Sequence, residues 1–238
     1  MAQEHKSKKL IIFGLGDFAE IAMEYFQKDS DFEVVGFSVE KEFLTQNKKF
    51  GMPVHEFESL DSLVDTSDHY FFCALLYTDM NDVRTRIVNS AKEKGFKLAT
   101  YISSNAFVWD IKKIGEHCFI FENNTIQPFV TIERNCILWS GNHIGHHSVI
   151  RENTFISSQV VVSGAVEIGA NCFIGVNSTV SNSVTVGDRS WLSMSSIVTK
   201  SVPNGSLVMT QPSKIVELNE SLLARKLAEI SAVRVSIQ

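Results

Sequence analysis

The segment Ile168-Gly-Ala-Asn-Cys-Phe-Ile174-Gly-Val-Asn-Ser-Thr-Val180 contains the repeat that organises this chain. An aliphatic residue stands at every sixth position, and the same spacing continues in both directions from Ile102 to Val198 without a break. All seventeen positions of this series hold Ile, Leu or Val. Neither an α-helix nor an alternating strand has a period of six, whereas a parallel β-helix does. The sequence therefore predicts a triangular prism with these residues pointing inward.

A smaller residue follows the aliphatic residue by four positions in most of these hexads and is expected to point inward with it. Because three hexads make one coil, residues 18 apart should stack in a column. One such column contains Cys118, Cys136, Thr154, Cys172 and Ser190. We interpret these cysteines as small buried residues, with a metal or redox site as the alternative.

The composition predicts an ordinary globular protein and excludes several classes of partner. The chain has 238 residues, of which 44% are hydrophobic and 21% charged, with a net charge of −5. A basic stripe that could neutralise nucleic-acid phosphates is missing from the sequence. No segment approaches the roughly 20 apolar residues that span a bilayer, and the first residues do not resemble a signal peptide. A cytoplasmic location without membrane insertion is expected.

Residues 1–101 alternate short apolar runs with amphipathic stretches, which predicts a small doubly wound α/β domain. The first run ends in Gly14-Leu-Gly16-Asp-Phe-Ala19, which matches the G-x-G-x-x-A pattern of dinucleotide-binding turns. Such a turn presents helix N–H groups to a phosphate. The acidic residue expected about 20 positions later has no clean candidate. We therefore infer a ligand with a diphosphate rather than NAD; a tight turn without a ligand is the alternative.

The segment Gly141-Asn-His143-Ile-Gly145-His146-His147 concentrates three of the seven histidines at outward positions of the prism. Gly164 follows His146 by 18 residues, so the two should lie on adjacent coils. A histidine can act as a general base near neutral pH, and a neighbouring N–H can stabilise an oxyanion. This pair suits acyl transfer; a polar corner without a catalytic role is the alternative. A zinc site would need a third ligand, and His117 falls on another side of the prism.

Residues 102–214 form the predicted prism, and residues 215–238 are predicted to contain a C-terminal helix. Asn219 can cap this helix, whose apolar residues Leu222, Leu223, Leu227 and Ile230 share one side. The helix is expected to cover the open end of the prism or to pack on a neighbouring subunit. The outward residues Trp109, Trp139 and Trp191 are likewise expected to be buried by a neighbouring subunit or a helix, which favours an oligomer.

These features together resemble bacterial sugar acyltransferases of the sialic-acid O-acetyltransferase type. That family includes hexapeptide-repeat N-acetyltransferases that act on nucleotide-linked 4-amino-4,6-dideoxy sugars. The resemblance covers about residues 9–214 and ends in Val202-Pro and Pro212-Ser-Lys214, similar to the family's V-P and G-x-P-A-K sequences. It implies an α/β domain, a left-handed parallel β-helix and a homotrimer with active sites between subunits. The nucleotide sugar would lie on the N-terminal domain, and acyl-CoA along the prism, without a metal.

The resemblance also implies roles for individual residues. His146 falls on the catalytic base and Gly164 on the N–H that binds the acyl carbonyl of the cofactor. Positions near the CoA arm fall on Val176 and Met194. The remaining implied substrate-binding positions lie on the N-terminal domain and beside the base, at Gly14, Gly16, Asp17, Ser38, Val39, His143 and His147.

The chain departs from the family pattern at three places. His147 stands where an acidic residue usually raises the basicity of the base, and Phe155 replaces a second histidine that helps to hold the acetyl group. The glycine-rich turn lacks its usual histidine. The resemblance implies acyl transfer, with acetyl-CoA as the expected donor, to the amino group of a nucleotide-linked amino sugar in surface-polysaccharide or O-antigen biosynthesis. The alternatives are O-acetylation of a sugar hydroxyl, as in sialic acid, and a trimeric binding protein whose sites have decayed.

Overall fold

The computed structural model describes the backbone of residues 6–235 and the side chains of residues 6–228. An α/β region is followed by a left-handed β-helix, here called the prism, and by a C-terminal helix. This order of elements confirms the predicted fold class. Within the described residues, no helix is both long and apolar enough to cross a bilayer.

The α/β region alternates strands and helices as its apolar pattern predicts. Its elements are β1 (Lys8–Phe13), α1 (Asp17–Lys28), β2 (Phe32–Val39), β3 (Lys48–Lys49), β4 (Met52–Glu56), α2 (Leu60–Leu63), β5 (His69–Cys73), α3 (Asp82–Glu93) and β6 (Lys97–Leu98). The strand order is β3-β4-β2-β1-β5-β6, and every pair is parallel except β3 with β4. The carboxyl ends of β1, β2 and β5 consequently meet at one edge of the sheet.

The prism consists of seventeen two-residue strands. Face 1 contains β7 (Tyr101–Ile102), β9 (Phe119–Ile120), β12 (Ile137–Leu138), β15 (Phe155–Ile156), β18 (Phe173–Ile174), β21 (Trp191–Leu192) and β23 (Leu207–Val208). Face 2 contains β8 (Phe107–Val108), β10 (Thr125–Ile126), β13 (His143–Ile144), β16 (Val161–Val162), β19 (Thr179–Val180) and β22 (Ile197–Val198). Face 3 contains β11 (Thr131–Ile132), β14 (Val149–Ile150), β17 (Glu167–Ile168) and β20 (Thr185–Val186).

The register of these strands confirms the 18-residue coil. On face 2, for example, Thr125 pairs with His143, His143 with Val161, and Val161 with Thr179. The last coil is shorter, because Trp191 pairs with Leu207 only 16 residues later. The spacing rule therefore holds up to the final turn and fails there.

The edges of the prism turn through left-handed backbone conformations. A positive φ recurs every sixth residue through most of the repeat, as at Asn135 (60°), His147 (61°), Asn153 (60°) and Asn171 (56°). Asparagine tolerates this region better than most residues, which explains its recurrence at these turns. His147 holds such a position, so its side chain leaves the backbone at a sharp corner.

The small inward residues are buried as the sequence predicts. Cys118, Cys136 and Cys172 are fully buried and are free thiols. Their Sγ atoms lie 3.1 Å, 3.2 Å and 3.2 Å from the carbonyl oxygens of Glu133, Arg151 and Gly187, each 15 residues later. These thiols consequently fill the core of the prism and satisfy carbonyls of the next coil, as the interpretation as small core residues requires.

The N-terminal region packs directly on face 1. Phe18 of α1 contacts Phe119 and Trp139, with ring centroids 5.5 Å and 5.6 Å apart. Phe119, Ile137 and Phe155 of face 1 belong to the same buried core as α1. Trp139 is therefore covered by a helix of its own chain, α1, which is one of the two covers expected for the outward tryptophans.

A hydrogen-bonded ladder joins the edge between faces 3 and 1 to the N-terminal region. The Cys73 amide donates to His117 Nε2 (2.9 Å), and His117 Nδ1 then donates to Asn135 Oδ1 (2.8 Å). The chain continues through Asn135, Asn153 and Asn171 and ends on Asp82 of α3 at 3.1 Å. Because the amide of Cys73 is only a donor, it fixes the direction of every bond in the ladder. This ladder holds α3 and β5 against the prism.

The C-terminal helix α4 spans Glu220–Val235. Leu223 and Leu227 are 43% and 55% exposed, and Leu207 on the last coil is 60% exposed. Among the side chains that the structure describes, these exposures do not support the first of the two expected roles, closure of the prism. The side chain of Ile230, which was assigned to the same apolar side, lies outside the described residues.

Candidate functional site

His146 and Gly164 lie side by side on the edge between faces 2 and 3. A Cβ added to Gly164 would stand 2.6 Å from Cε1 and 2.7 Å from Nε2 of His146. These are distances at which atoms overlap, so the imidazole lies directly against the glycine. Only a residue without a side chain leaves this space to the ring. The structure thus brings together the two residues that the 18-residue spacing selects.

The tautomer of His146 depends on its neighbour. Nδ1 of His146 lies 3.1 Å from Nδ1 of His147, so one ring must donate and the other accept. When His146 donates, its Nε2 keeps the lone pair that a general base needs. The ring of His147 rests against Phe129, with centroids 4.6 Å apart. A histidine anchored on an aromatic ring therefore occupies the position of the usual acidic partner.

The N–H of Gly164 is engaged in this structure. It donates to Oδ1 of Asn182, which follows it by 18 residues, at 2.9 Å. A thioester oxygen could take this hydrogen bond only after the Asn182 carboxamide turns away. Asn182 was not among the predicted site residues, although the same spacing of 18 residues places it beside Gly164.

The structure also shows where His143 and Phe155 lie. His143 lies on face 2, where it pairs with Thr125 and Val161. Its strand leads directly into the edge that carries His146. Phe155 is only 5% exposed and packs beneath Tyr77, with ring centroids 5.0 Å apart. Phe155 thus belongs to the contact between the N-terminal region and face 1.

A groove follows the edge between faces 1 and 2. It encloses about 490 Å³ and is lined by Ser157, Phe173, Gly175, Val176, Trp191, Ser193, Met194, Thr210 and Pro212. Val176 and Met194, which the family resemblance places near the CoA arm, both line it. Face 2 separates this groove from the edge that carries His146 and Gly164, because the two edges bound that face on opposite sides. One copy of the chain therefore has His146 and Gly164 on one edge of face 2 and Val176 and Met194 on the other.

A cleft of about 360 Å³ lies at the carboxyl ends of β1, β2 and β5. Such switch points are where open α/β sheets bind ligands. Gly14 and Val39 line it, as do Leu15, Glu40 and Thr78. Both carboxylate oxygens of Glu40 already accept from Arg86, at 2.8 Å and 3.1 Å, and this bond lowers the pKa of Glu40.

The glycine turn beside this cleft has the backbone that its sequence predicts. Gly14 has φ 116°, where a side chain is strained, and its Cβ would also approach the Ala74 carbonyl oxygen at 3.1 Å. Gly16 caps α1, and Asp17 begins the helix at an exposed position. Ser38 is fully buried, and its Oγ has no hydrogen-bond partner.

Lys49 is a residue that the sequence argument does not single out. It lies on the β3–β4 hairpin, and its Nζ donates to the carbonyl oxygen of Leu15 in the glycine turn at 2.7 Å. The ammonium also lies 4.7 Å from the ring centroid of Phe50. A positive charge therefore stands beside the phosphate-type turn. Tertiary contacts form the hairpin that places Lys49 here, and no local sequence motif predicts this position.

Among the described residues, no group of three or more His, Cys, Asp or Glu side chains is arranged to hold a metal ion. His117, the distant histidine considered for such a site, is fully buried in the ladder. Burial, together with the charge of Arg84, lowers its pKa well below the usual value.

Family models match the prism. Residues 112–146 and 147–182 match the bacterial transferase hexapeptide (six repeats), and residues 165–200 match the hexapeptide repeat of succinyl-transferase. The repeats of the prism between residues 112 and 200 are therefore similar to those of hexapeptide transferases. A search of curated proteins finds no match to this sequence.

Solved structures share this fold over most of the chain. PerB from Caulobacter crescentus, in complex with CoA and GDP-perosamine, is 21% identical, with a TM-score of 0.74 over 88% of this chain and 97% of that one. The acetyltransferase domain of PglB from Neisseria gonorrhoeae, in complex with acetyl coenzyme A, is 20% identical, with a TM-score of 0.71 over 88% and 100%. At these identities the likeness establishes the fold, including the α/β region that precedes the β-helix.

Proposed function

We propose that this protein is an acyl-CoA-dependent transferase that acetylates the amino group of a nucleotide-linked amino sugar. The observation that carries the proposal is the contact between the His146 ring and Gly164, since this pairs a base with a potential oxyanion donor. The groove at Val176 and Met194 supports a place for CoA, and the cleft at Gly14 supports a place for the nucleotide. The complexes of PerB with CoA and GDP-perosamine support this pair of ligands.

The chemistry follows from two groups. The amine of the sugar attacks the thioester carbonyl while Nε2 of His146 takes a proton from the nitrogen. The carbonyl oxygen becomes an oxyanion, which accepts the Gly164 N–H once Asn182 has turned away. Collapse of this intermediate breaks the C–S bond, and the imidazolium returns the proton to the leaving thiolate of CoA. A general base of this kind contributes about 10²–10⁴-fold to the rate.

The proposed site needs more than one copy of the chain. His146 and the CoA groove lie on the two edges that bound face 2, so a neighbouring copy has to bring its groove to the His146 edge. Face 2 carries exposed apolar residues that would suit such a contact, including Phe107 and Ile197, which are 53% and 78% exposed. We therefore include a homotrimer, which closes such contacts with three equivalent sites, in the proposal.

The proposal is tested by supplying acetyl-CoA with a panel of acceptors and measuring the release of free thiol. Nucleotide-linked 4-amino-4,6-dideoxy sugars should be acetylated, and His146→Asn should lower kcat by about 10²–10⁴ without changing the Kd of acetyl-CoA. An unchanged kcat in this variant would remove His146 from the base role. Acetylation of a free sugar hydroxyl, such as that of sialic acid, would instead establish the O-acetyltransferase alternative.

Calorimetric titration with acetyl-CoA separates the enzyme from a decayed binding protein. The enzyme should bind the donor in the absence of the sugar, whereas a scaffold without a functional site should give no heat of binding. Asn182→Ala provides a further check, because it frees the Gly164 N–H. This variant should retain or raise kcat; a loss comparable to that of His146→Asn would show that Asn182 takes part in the reaction.

A further inference from the structure

An aromatic column runs along the outside of face 1. Its members are the outward residues of successive strands, Phe119, Ile137, Phe155, Phe173, Trp191 and Leu207. The first three are buried beneath the N-terminal region. Phe173 and Trp191 emerge from that cover and are half-buried. Phe173 and Trp191 thus present an aromatic surface to the groove, one coil before the column ends at Leu207.

The two emerging rings form a parallel stack. Phe173 and Trp191 have centroids 4.0 Å apart and an interplanar angle of 22°. Tyr77 packs against both from the N-terminal region, at 4.6 Å and 5.8 Å, and fixes them from the side. The orientation of the indole is therefore set before any ligand arrives. A preorganised aromatic surface loses little conformational freedom on binding.

The rest of the groove is free of charge. None of the nine residues that line it carries a charged side chain. The hydroxyl of Thr210 is already used on the Met194 carbonyl oxygen, at 2.8 Å. A phosphate or a carboxylate would find no counter-charge here, whereas a neutral, flat and polarisable ring would match the aromatic wall.

We propose that Trp191 is the stacking platform for the adenine ring of the acyl-CoA donor. This inference rests on the proposed function, which supplies CoA as the ligand and places its arm against Val176 and Met194 in the same groove. Of the parts of CoA, the pantetheine arm is neutral and flexible, the phosphates are charged, and the adenine is neutral and flat. The shape and lining of the wall at Trp191 fit the adenine.

The experiment compares two donors on the same variants. Acetyl-CoA and S-acetylpantetheine share the thioester and the pantetheine arm, and only the first has an adenine. In the trimeric or native assembly, Trp191→Ala should raise the Kd of acetyl-CoA roughly 10–100-fold and leave that of S-acetylpantetheine unchanged. Trp191→Phe should retain most of the affinity. Adenosine 3′,5′-bisphosphate should displace acetyl-CoA from the wild type and should lose affinity for Trp191→Ala.

Leu207→Ala is the matched control, because Leu207 is the next member of the column but does not line the groove. It should bind both donors as the wild type does. A variant that fails to fold would lose both donors together, and Trp191→Phe then decides the outcome through its donor preference. Equal loss of both donors in a folded variant, or no loss of acetyl-CoA, would overturn the role of Trp191. If the wild type binds no acetyl-CoA, the proposed function fails as well.

Discussion

Nδ1 of His146 lies 3.1 Å from Nδ1 of His147, so a histidine stands where an acidic residue would be expected to orient the base. A neutral imidazole can accept the Nδ1–H of His146 and thereby leave Nε2 free, as a carboxylate would. In the proposed reaction it would do so without adding a negative charge beside the imidazolium. The proposed mechanism therefore gives the pair an orienting role with a weaker electrostatic contribution.

Replacement of His147 tests this orienting role. His147→Ala removes the acceptor of the His146 Nδ1–H, so we expect kcat to fall about tenfold, less than for His146→Asn. His147→Glu supplies a carboxylate at the same corner and should restore the rate or exceed it. The measurement is kcat against pH with saturating acetyl-CoA. If His147→Ala retains the wild-type kcat and pH profile, the contact has no part in catalysis.

The close contact between Gly164 and the His146 ring leaves no room for a side chain at position 164. In Gly164→Ala the new Cβ would overlap the imidazole at 2.6–2.7 Å, so the ring must move. We expect kcat to fall by about 10², since a misplacement of about 1 Å at a reacting group has that cost. Gly164 does not have a positive φ, so the backbone should accept alanine and Tm should change little. A large fall in Tm would instead assign the loss of activity to folding.

Lys49 should contribute to binding of the nucleotide diphosphate. Lys49→Gln removes the ammonium beside the glycine turn, and we expect the Kd for the nucleotide sugar to rise roughly tenfold. The wild-type Kd should also depend more steeply on salt than that of the variant, since the charge is partly exposed. Calorimetry at low and high salt gives both quantities.

Two variants control this measurement. Lys49→Arg keeps the positive charge and should keep most of the affinity. Lys48→Gln removes the neighbouring positive charge. The Lys48 side chain is exposed and is not bonded to Leu15, so this variant should bind the nucleotide sugar as the wild type does. Equal effects of Lys48→Gln and Lys49→Gln would point to a general electrostatic contribution and would reject the specific role of Lys49.

The buried histidine of the ladder should make the protein sensitive to acid. Burial lowers the pKa of His117 well below its usual value, so the folded chain keeps it neutral while the unfolded chain takes up a proton below about pH 6.5. The unfolded state then binds more protons, and the free energy of unfolding decreases as the pH falls from 7 to 5 by up to about 1.4 kcal/mol per pH unit.

His117→Asn places at this position the residue that continues the ladder at 135, 153 and 171. It cannot titrate, so the difference in unfolding free energy between pH 7 and pH 5, measured with urea, should be smaller than in the wild type. The partners around His117 are Arg84, Asn135 and the Cys73 amide, and none of them gains a proton in this range. An identical pH dependence in both proteins would contradict the assignment.

The α/β pattern and the hexapeptide period were sufficient to predict most of the architecture. The sequence also predicts one strand from Lys97 to Ile102 that continues into the first hexad, but the structure divides it, because β6 joins the N-terminal sheet and β7 begins face 1. The sequence predicts a short strand at Met52-Pro-Val54, which corresponds to β4 (Met52–Glu56), but it does not predict the hairpin, since its partner β3 has only two residues. The sequence leaves two locations open for α4, because amphipathic spacing marks an apolar side but does not identify the surface that covers it.

The sequence by itself determined the prism and the adjacency of His146 and Gly164. A strict period of six fixes which residues point inward, and three hexads per coil fix which residues are neighbours, so contacts along an edge follow from arithmetic. Only the tertiary structure decided the contacts between elements that the repeat does not relate, such as Lys49 on the Leu15 carbonyl and Tyr77 on Trp191. The folding of the β3–β4 hairpin over the glycine turn causes the first contact, and the packing of the N-terminal region on face 1 causes the second. The repeat also places Asn182 beside Gly164, but it does not specify the side-chain rotamer that forms their hydrogen bond.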